Sequence, residues 1–290
     1  MNMRLPVRLR KRNPDTHKGD YGFVFVLGGS PGMTGAVCLC ARAALRAGAG
    51  MVQAGVPAAV HSIIEQKLTE EMSVPLPDEG KGYLKSSSLK EVSAYLSRAN
   101  VLALGCGASR IPAVQSALRT VIRQSTLPLV IDADGLNAIA SRMDVLSRRK
   151  SREIVLTPHF GEFSRLTGTG TAEIKKRRKS LAKEFALKYN LTLVLKGHKT
   201  IVTDGKRLFE NATGNPGMAT AGVGDVLTGI LAGILAQGVD LFQSACTAVY
   251  LHGLAGDYAA KEKTEQAVIA SDLIDFLPSA LKHMRSRRRK

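Results

Sequence analysis

The sequence predicts an α/β protein with a mostly parallel central sheet covered by helices on both faces, a three-layer αβα sandwich. Three observations carry that prediction. Short apolar runs of strand length end at glycines or small polar residues. Longer segments with helical character lie between them. The glycine-rich and polar motifs fall again and again where a strand ends, which is where open α/β sheets bind ligands.

The elements follow in order. Tyr21–Leu27 reads as a buried strand that stops at Gly28-Gly29. Ala36–Ala47 is a helix of small residues closed by Gly48. Met51–Val56 is a second strand and Ala58–Gln66 a short helix. After a segment of mixed character, Val101–Leu104 is a strand ending at Gly105-Cys-Gly107. Pro112–Gln124 is a helix with proline in its first turn, where the missing N–H costs nothing. Leu129–Ile131 is a strand ending at Asp132-Ala-Asp134, and Ile154–Leu156 one ending at Thr157-Pro-His159. Lys175–Tyr189 is an amphipathic helix. Leu191–Leu195 and Thr200–Thr203 are strands around Lys196-Gly197. A helix apolar nearly all round begins at Asp225, followed by helices over Leu241–Ala260 and Ala270–Ala280.

Composition narrows the class. The 290 residues are 44% hydrophobic, enough for one large core, and no internal repeat or linker divides them. We expect one domain, with a basic arm at 1–14, the α/β unit at 15–280 and a basic tail at 281–290. The net charge of +17 raises the question of nucleic acid. The basic runs at Arg4–Lys18, Lys175–Lys179 and Arg285–Lys290 carry no interleaved aromatics and no recognition-helix pattern, so solvated faces and attraction of small polyanions are the better reading. The four cysteines lack metal spacing and read as buried, reduced thiols, which fits a cytoplasmic protein. No apolar run approaches the roughly 18 residues of a membrane span, and no signal peptide is apparent.

The stretch Asn211–Asp225 is the most informative. It holds four glycines, ends in an acid and runs straight into the apolar helix. Free N–H groups at a helix N-terminus form an anion site. An acid beside bound phosphate needs a task, and Asp225 is the candidate base for a hydroxyl that meets a phosphoryl group. The alternative is an ordinary N-terminal capping Asp. Gly28-Gly-Ser-Pro-Gly-Met-Thr-Gly35 follows the first strand, but its spacing is not the dinucleotide fingerprint and no acid ends the next strand. The loop still exposes backbone at Thr34, Gly35 and Ala36. Asp132 and Asp134, two apart, project to one side. Asp134 is read as a helix cap, and Asp132 as a weaker candidate for Mg²⁺ or ribose. His159 stands beside Pro158 and Gly161 at a strand end and is read as a ligand contact, with Glu162 placed to orient hydrated Mg²⁺. Lys196-Gly-His-Lys-Thr200 offers positive charge and free amides to nucleotide phosphates, or is a plain hairpin turn. No Walker-type P-loop is present.

With these motifs assembled, the chain resembles the ADP/ATP-dependent NAD(P)H-hydrate dehydratases of the ribokinase-like superfamily. The resemblance runs from His17-Lys-Gly19 to about Pro278. It rests on His17-Lys-Gly, Gly28-Gly-Ser with Gly35-Ala36, Ala47-Gly-Ala-Gly50, Asp132-Ala-Asp, Thr157-Pro-His-x-Gly-Glu162, Lys196-Gly with Thr200, and Asn211-x-Thr-Gly-Asn-Pro-Gly-Met-Ala-Thr220 before Gly222-x-Gly-Asp225. It implies phosphorylation of the C6 hydroxyl of NAD(P)H-hydrate by ADP, or ATP, with Mg²⁺, then loss of phosphate. It further implies Asp225 as the base and Ala36, Gly107, His159 and Asp225 as hydrate contacts. Lys196, Gly197, His198, Lys199, Thr200, Gly222 and Gly224 become nucleotide contacts, with Glu162 near the metal. A homotetramer and a functional partnership with an NAD(P)H-hydrate epimerase are also implied. Two departures stand out. Ala221-Gly-Val-Gly-Asp225 replaces the usual G-G-T-G-D, and Gly105-Cys-Gly-Ala-Ser109 replaces G-P-G-x-G. The competing reading is a small-molecule kinase of the same superfamily, acting on a hydroxymethylpyrimidine or hydroxyethylthiazole alcohol. A basic RNA-binding protein is a third.

Overall fold

A computed structural model describes residues 4–286 of the chain. Nine strands form one sheet in the order β3-β2-β1-β4-β5-β6-β7-β8-β9. They are β1 (Phe23–Leu27), β2 (Met51–Pro57), β3 (Met72–Leu76), β4 (Val101–Leu104), β5 (Leu129–Ile131), β6 (Ile154–Leu156), β7 (Thr192–Leu195), β8 (Ile201–Thr203) and β9 (Leu208–Glu210). The strands from β1 to β7 run parallel, while β8 and β9 pair antiparallel at one edge. The eleven α-helices are α1 (Thr34–Arg46), α2 (Ala58–Glu65), α3 (Leu89–Leu96), α4 (Pro112–Gln124), α5 (Asp134–Ala140), α6 (Asp144–Ser147), α7 (Phe160–Thr167), α8 (Thr171–Tyr189), α9 (Val223–Ala236), α10 (Leu241–Lys263) and α11 (Ala270–Ser286).

The strand pleat divides the core in two. Val24, Val26, Val101 and Ala103 turn to the face covered by α1, α9, α10 and α11. Phe25, Leu27, Leu102 and Leu104 turn to the face covered by α4 to α8. The expected three-layer sandwich is therefore present, and strands buried on both faces explain the nearly continuous apolar runs. The chain order reverses between β1 and β4, so the carboxyl ends of those two strands open a crevice.

One contact fixes the geometry under that crevice. A Cβ placed on Gly229 would lie 2.1 Å from the carbonyl oxygen of Cys40, and one on Gly233 would lie 2.3 Å from that of Ala44. The α9 glycines and the small residues of α1 thus let the two main chains touch. Gly50 plays a similar part, since its Cβ would fall 1.7 Å from the Lys18 carbonyl oxygen. That contact seats the His17-Lys-Gly motif on the turn before β2.

Several elements depart from the sequence reading. β3 was hidden in the mixed segment because it is an edge strand with exposed Met72 and an internal Pro75. α3, α6 and α7 are short and were not anticipated, nor was β9, whereas α5 is the helix expected after Asp134. α8 begins at Thr171 rather than Lys175, and α11 continues through Pro278 to Ser286. Residues 1–3 of the expected basic arm lie outside the described residues, and the arm from Arg4 onward is seated on the domain. Leu5 and Leu9 are buried, and Arg12 Nη2 donates to the Gly48 carbonyl at 2.8 Å. The last four residues of the basic tail, 287–290, lie outside the described residues.

Candidate active site

The helix predicted to start at Asp225 starts two residues earlier. Gly222, at φ 85°, is its N-cap and Asp225 its third residue. The left-handed backbone at 222 is one that glycine adopts without cost. Asp225 is therefore not the cap, and its carboxylate makes no capping bond. Among the described residues, no protein acceptor takes the N–H groups of Gly222, Val223, Gly224 or Asp225; the first amide satisfied is that of Val226, from the Gly222 carbonyl. Free amides at the positive end of a buried helix form a site for negative charge.

A polar cluster fills the floor beside those amides. Lys196 Nζ donates to Asp132 Oδ1 at 2.7 Å and lies 3.8 Å from Glu162 Oε2. Thr228 Oγ1 of α9 donates to Asp132 Oδ2 at 2.8 Å. A Cβ on Gly224 would be 3.4 Å from Lys196 Nζ and 3.6 Å from Asp132 Oδ2, so the backbone at 224 packs in direct contact with the cluster. Asp132 is thus central rather than marginal. It ties β5, β7 and α9 together, through partners 64 and 96 residues away in sequence.

The electrostatics follow from burial. Asp225 is pushed up to about 6, by desolvation first and by the Asp132 charge second; the Lys196 ammonium and the Cys106 thiol act in the opposite sense. Burial likewise raises Glu162. For Lys196, burial pulls downward but the Asp132 and Glu162 carboxylates outweigh it, leaving the ammonium firmly charged. A carboxyl poised near 6 is ionised at neutral pH yet basic enough to take a proton.

Asp134 does not cap its helix, contrary to expectation. The residue preceding α5 is Ala133, at φ 48°. The Asp134 carboxylate instead accepts from the Ser109 amide at 2.8 Å and from Asn137 Nδ2 at 3.1 Å, pinning the loop after β4. Asp132 and Asp134 consequently serve different partners.

His159 is the N-cap of α7. Its Nδ1 accepts from the amides of Gly161 and Glu162 at 3.0 and 3.3 Å, and its own N–H donates to Glu162 Oε2 at 2.8 Å. The ring Nε2 lies 3.6 Å from Glu162 Oε2, with 53% of the side chain exposed. Burial first, then the charges of Lys196 and Arg165, hold its pKa below the usual histidine value.

On the far side of the crevice, Ala36, the third residue of α1, stands beside Gly107. A Cβ on Gly107, at φ 61°, would stand 3.0 Å from the Ala36 Cβ and 2.6 Å from the Met33 carbonyl oxygen. The structure thus brings those two together, with open space above Gly35. Lys196–Thr200 is the turn of the β7–β8 hairpin. Thr200 Oγ1 donates to the Gly197 carbonyl at 2.9 Å, and Arg178 Nη1 donates to the His198 carbonyl at 2.7 Å. Gly197, His198 and Lys199 sit exposed at its tip. Of the five residues, only Lys196 reaches the buried carboxylates.

Sequence reasoning missed His252 of α10. Its Nε2 lies 2.9 Å from the Val223 carbonyl oxygen, in the opening turn of α9. A lone histidine in a helix of small residues gives no signal. All four cysteines are free and buried, as expected. None of the helices among the described residues is long and apolar enough to cross a membrane.

The doubly covered sheet, with its anion site at a buried helix N-terminus and a carboxylate in that helix's first turn, has the ribokinase-like fold. The comparisons sharpen this. The model of the NAD(P)H-hydrate dehydratase family matches residues 24–279, and the chain belongs to that family. It is 45% identical over 279 residues to the bifunctional NAD(P)H-hydrate repair enzyme Nnr of Moorella thermoacetica, covering 96% of this chain and 52% of that protein. The ADP-dependent (S)-NAD(P)H-hydrate dehydratase of Neisseria meningitidis is 34% identical, with 96% of this chain and 90% of that one covered. The ADP/ATP-dependent NAD(P)H-hydrate dehydratase of Bacillus subtilis, co-crystallised with ATP/Mg²⁺, superposes with a TM-score of 0.81 at 30% identity, covering 97% and 95% of the two chains. The chain spans about half the length of the bifunctional relatives it matches.

Proposed function

We propose that this chain dehydrates (S)-NAD(P)H-hydrate at the expense of ADP, giving NAD(P)H, AMP and phosphate. The observation that carries the reading is Asp225, a carboxyl poised near 6, in a turn whose amides have no protein acceptor among the described residues. Asp225 takes the proton of the C6 hydroxyl. The hydroxyl oxygen attacks the terminal phosphorus, and AMP leaves. The Gly222–Gly224 amides and the Lys196 ammonium stabilise the charge on the moving phosphoryl group. The C6–O bond then breaks, phosphate departs with the electron pair, and loss of the C5 proton restores the ring double bond.

The hydrate lies against Ala36, Gly107 and His159, and the nucleotide against the 196–200 turn. Mg²⁺, when bound, would shield the nucleotide phosphates and lower repulsion toward the attacking oxygen. Glu162 fits it, because its Oε2 is engaged but its Oε1 is not. The described residues contain no group of three His, Cys, Asp or Glu able to hold a metal, so phosphates and water must complete the shell. The preference for ADP rests on the Neisseria relative's name.

The test mixes protein, Mg²⁺ and hydrated NADH with ADP or with ATP and follows the return of reduced-nicotinamide absorbance. Recovery with ADP, matched by AMP release, is the expected result. Failure with both nucleotides, alongside phosphorylation of a hydroxymethylpyrimidine, would overturn the reading.

A further inference from the structure

α10 takes no part in the chemistry above, yet the whole glycine-rich loop is docked on one of its faces. Asn211 Nδ2 donates to the Val249 carbonyl at 3.0 Å, and Thr213 Oγ1 to the Tyr250 carbonyl at 2.9 Å. Both oxygens of Asp257 accept from the Gly214 amide, at 3.1 and 3.0 Å, and Oδ1 also accepts from Asn215 Nδ2 at 3.1 Å. A Cβ on Gly253 would come within 2.3 Å of Thr213 Oγ1, and one on Gly256 within 2.4 Å of Met218 Sδ. The loop is held along its length, and His252 holds its end.

That end is the peptide joining Val223 to Gly224. The peptide unit is planar and trans, so its C=O and N–H point in opposite directions as one rigid plate. The buried His252 ring donates Nε2–H to the Val223 carbonyl at 2.9 Å. Fixing that oxygen fixes the direction of the Gly224 N–H, which has no protein acceptor among the described residues; a Cβ on Gly224 would stand 3.4 Å from Lys196 Nζ, so this peptide borders the polar cluster. Burial depresses the His252 pKa to about 4, so near neutrality the ring is uncharged and one nitrogen carries the proton.

We propose that His252 is a positioning residue that aims the Gly224 amide at the transferring phosphoryl group. The inference rests on the reading of the Asp225 turn given above. A misaimed donor loses much of its value to charge that develops only during transfer, while ground-state binding changes little.

The test compares three variants of the full chain by kcat, by KM for ADP and by thermal midpoint. His252→Gln places an amide N–H near the Nε2 position. His252→Asn carries the same group one bond short, and His252→Leu has no donor. We expect His252→Asn and His252→Leu to lose about 10- to 100-fold in kcat with KM for ADP within about threefold, and His252→Gln to stay within about fivefold of the parent. Equal kcat losses in the Gln and Asn variants, or a His252→Leu enzyme as fast as the parent, would overturn the assignment. If Leu does not fold, the Gln and Asn pair still decides. Asp225→Asn is measured alongside. An active Asp225→Asn enzyme sinks the reading of the turn itself, whereas a dead one beside a fast His252→Leu sinks only the role of His252.

Discussion

Replacing Asp225 by Asn separates stability from catalysis. Burial and the Asp132 charge raise this carboxyl from its ordinary 3.8 to about 6. The difference of roughly two units corresponds to about 3 kcal/mol by which the ionised form is disfavoured in the folded protein. The sign follows from linkage. Because the folded pKa lies above the unfolded one, the cost is absent below about pH 4, grows between pH 4 and 6, and is complete above. Asp225→Asn removes the charge while keeping the shape. The variant therefore gains about 2–3 kcal/mol near pH 8, a rise of roughly 3–5 °C in thermal midpoint for a chain this size, and gains nothing near pH 4. Turnover falls by about a thousandfold or more through loss of the base. Thermal unfolding by circular dichroism at the two pH values, with absorbance-recovered rates near pH 8, reads both effects. The same midpoint gain at both pH values would show that desolvated charge is not the cause, and surviving turnover would remove Asp225 as the base.

The pH dependence of kcat/KM in the parent should show an acid limb near 6, with activity rising as pH rises because the base must be ionised. Lys196→Met removes the cation between Asp132 and Glu162, so kcat should fall by about 100-fold and the acid limb should move upward, both read from rate profiles. Gly229→Ala drives a methyl into the Cys40 carbonyl 2.1 Å away, and denaturant titration should show a loss of about 2–4 kcal/mol. His252, lowered from 6.5 to about 4, adds stability that is complete above pH 6.5 and drains away as pH falls from there toward 4. Replacing it by Gln should flatten that part of the stability curve, as measured by urea titration.

Much of the sheet was legible because a buried parallel strand leaves a plain mark, an apolar run stopped by a glycine. Val101–Leu104 and Ile154–Leu156 occupy the residues read from sequence. β3 escaped because an edge strand need not be apolar, and α7 because its first turn was read only as the motif Thr157–Glu162. In the site, Asp225 and its glycines were visible because local backbone chemistry is written locally. The weight of Asp132 was not, since it depends on Lys196 and Thr228, which only folding brings to it. Asp134 misled for a related reason. A carboxylate before a helix suggests a cap, but its partner is the Ser109 amide from another loop.

The backbone contact between α1 and α9 has a bearing on how this cleft can be altered. Ala36 lies in the first turn of one helix and Asp225 in that of the other, so on the function proposed above each carries one end of the reaction. Main chains pressed together at Gly229 and Gly233 leave no room for gliding. On that proposal the gap between alcohol and phosphorus is a fixed gauge, set once when the protein folds. Altered reach for a longer or shorter donor has to come from the rims, most simply from the hairpin tip at Gly197–Lys199.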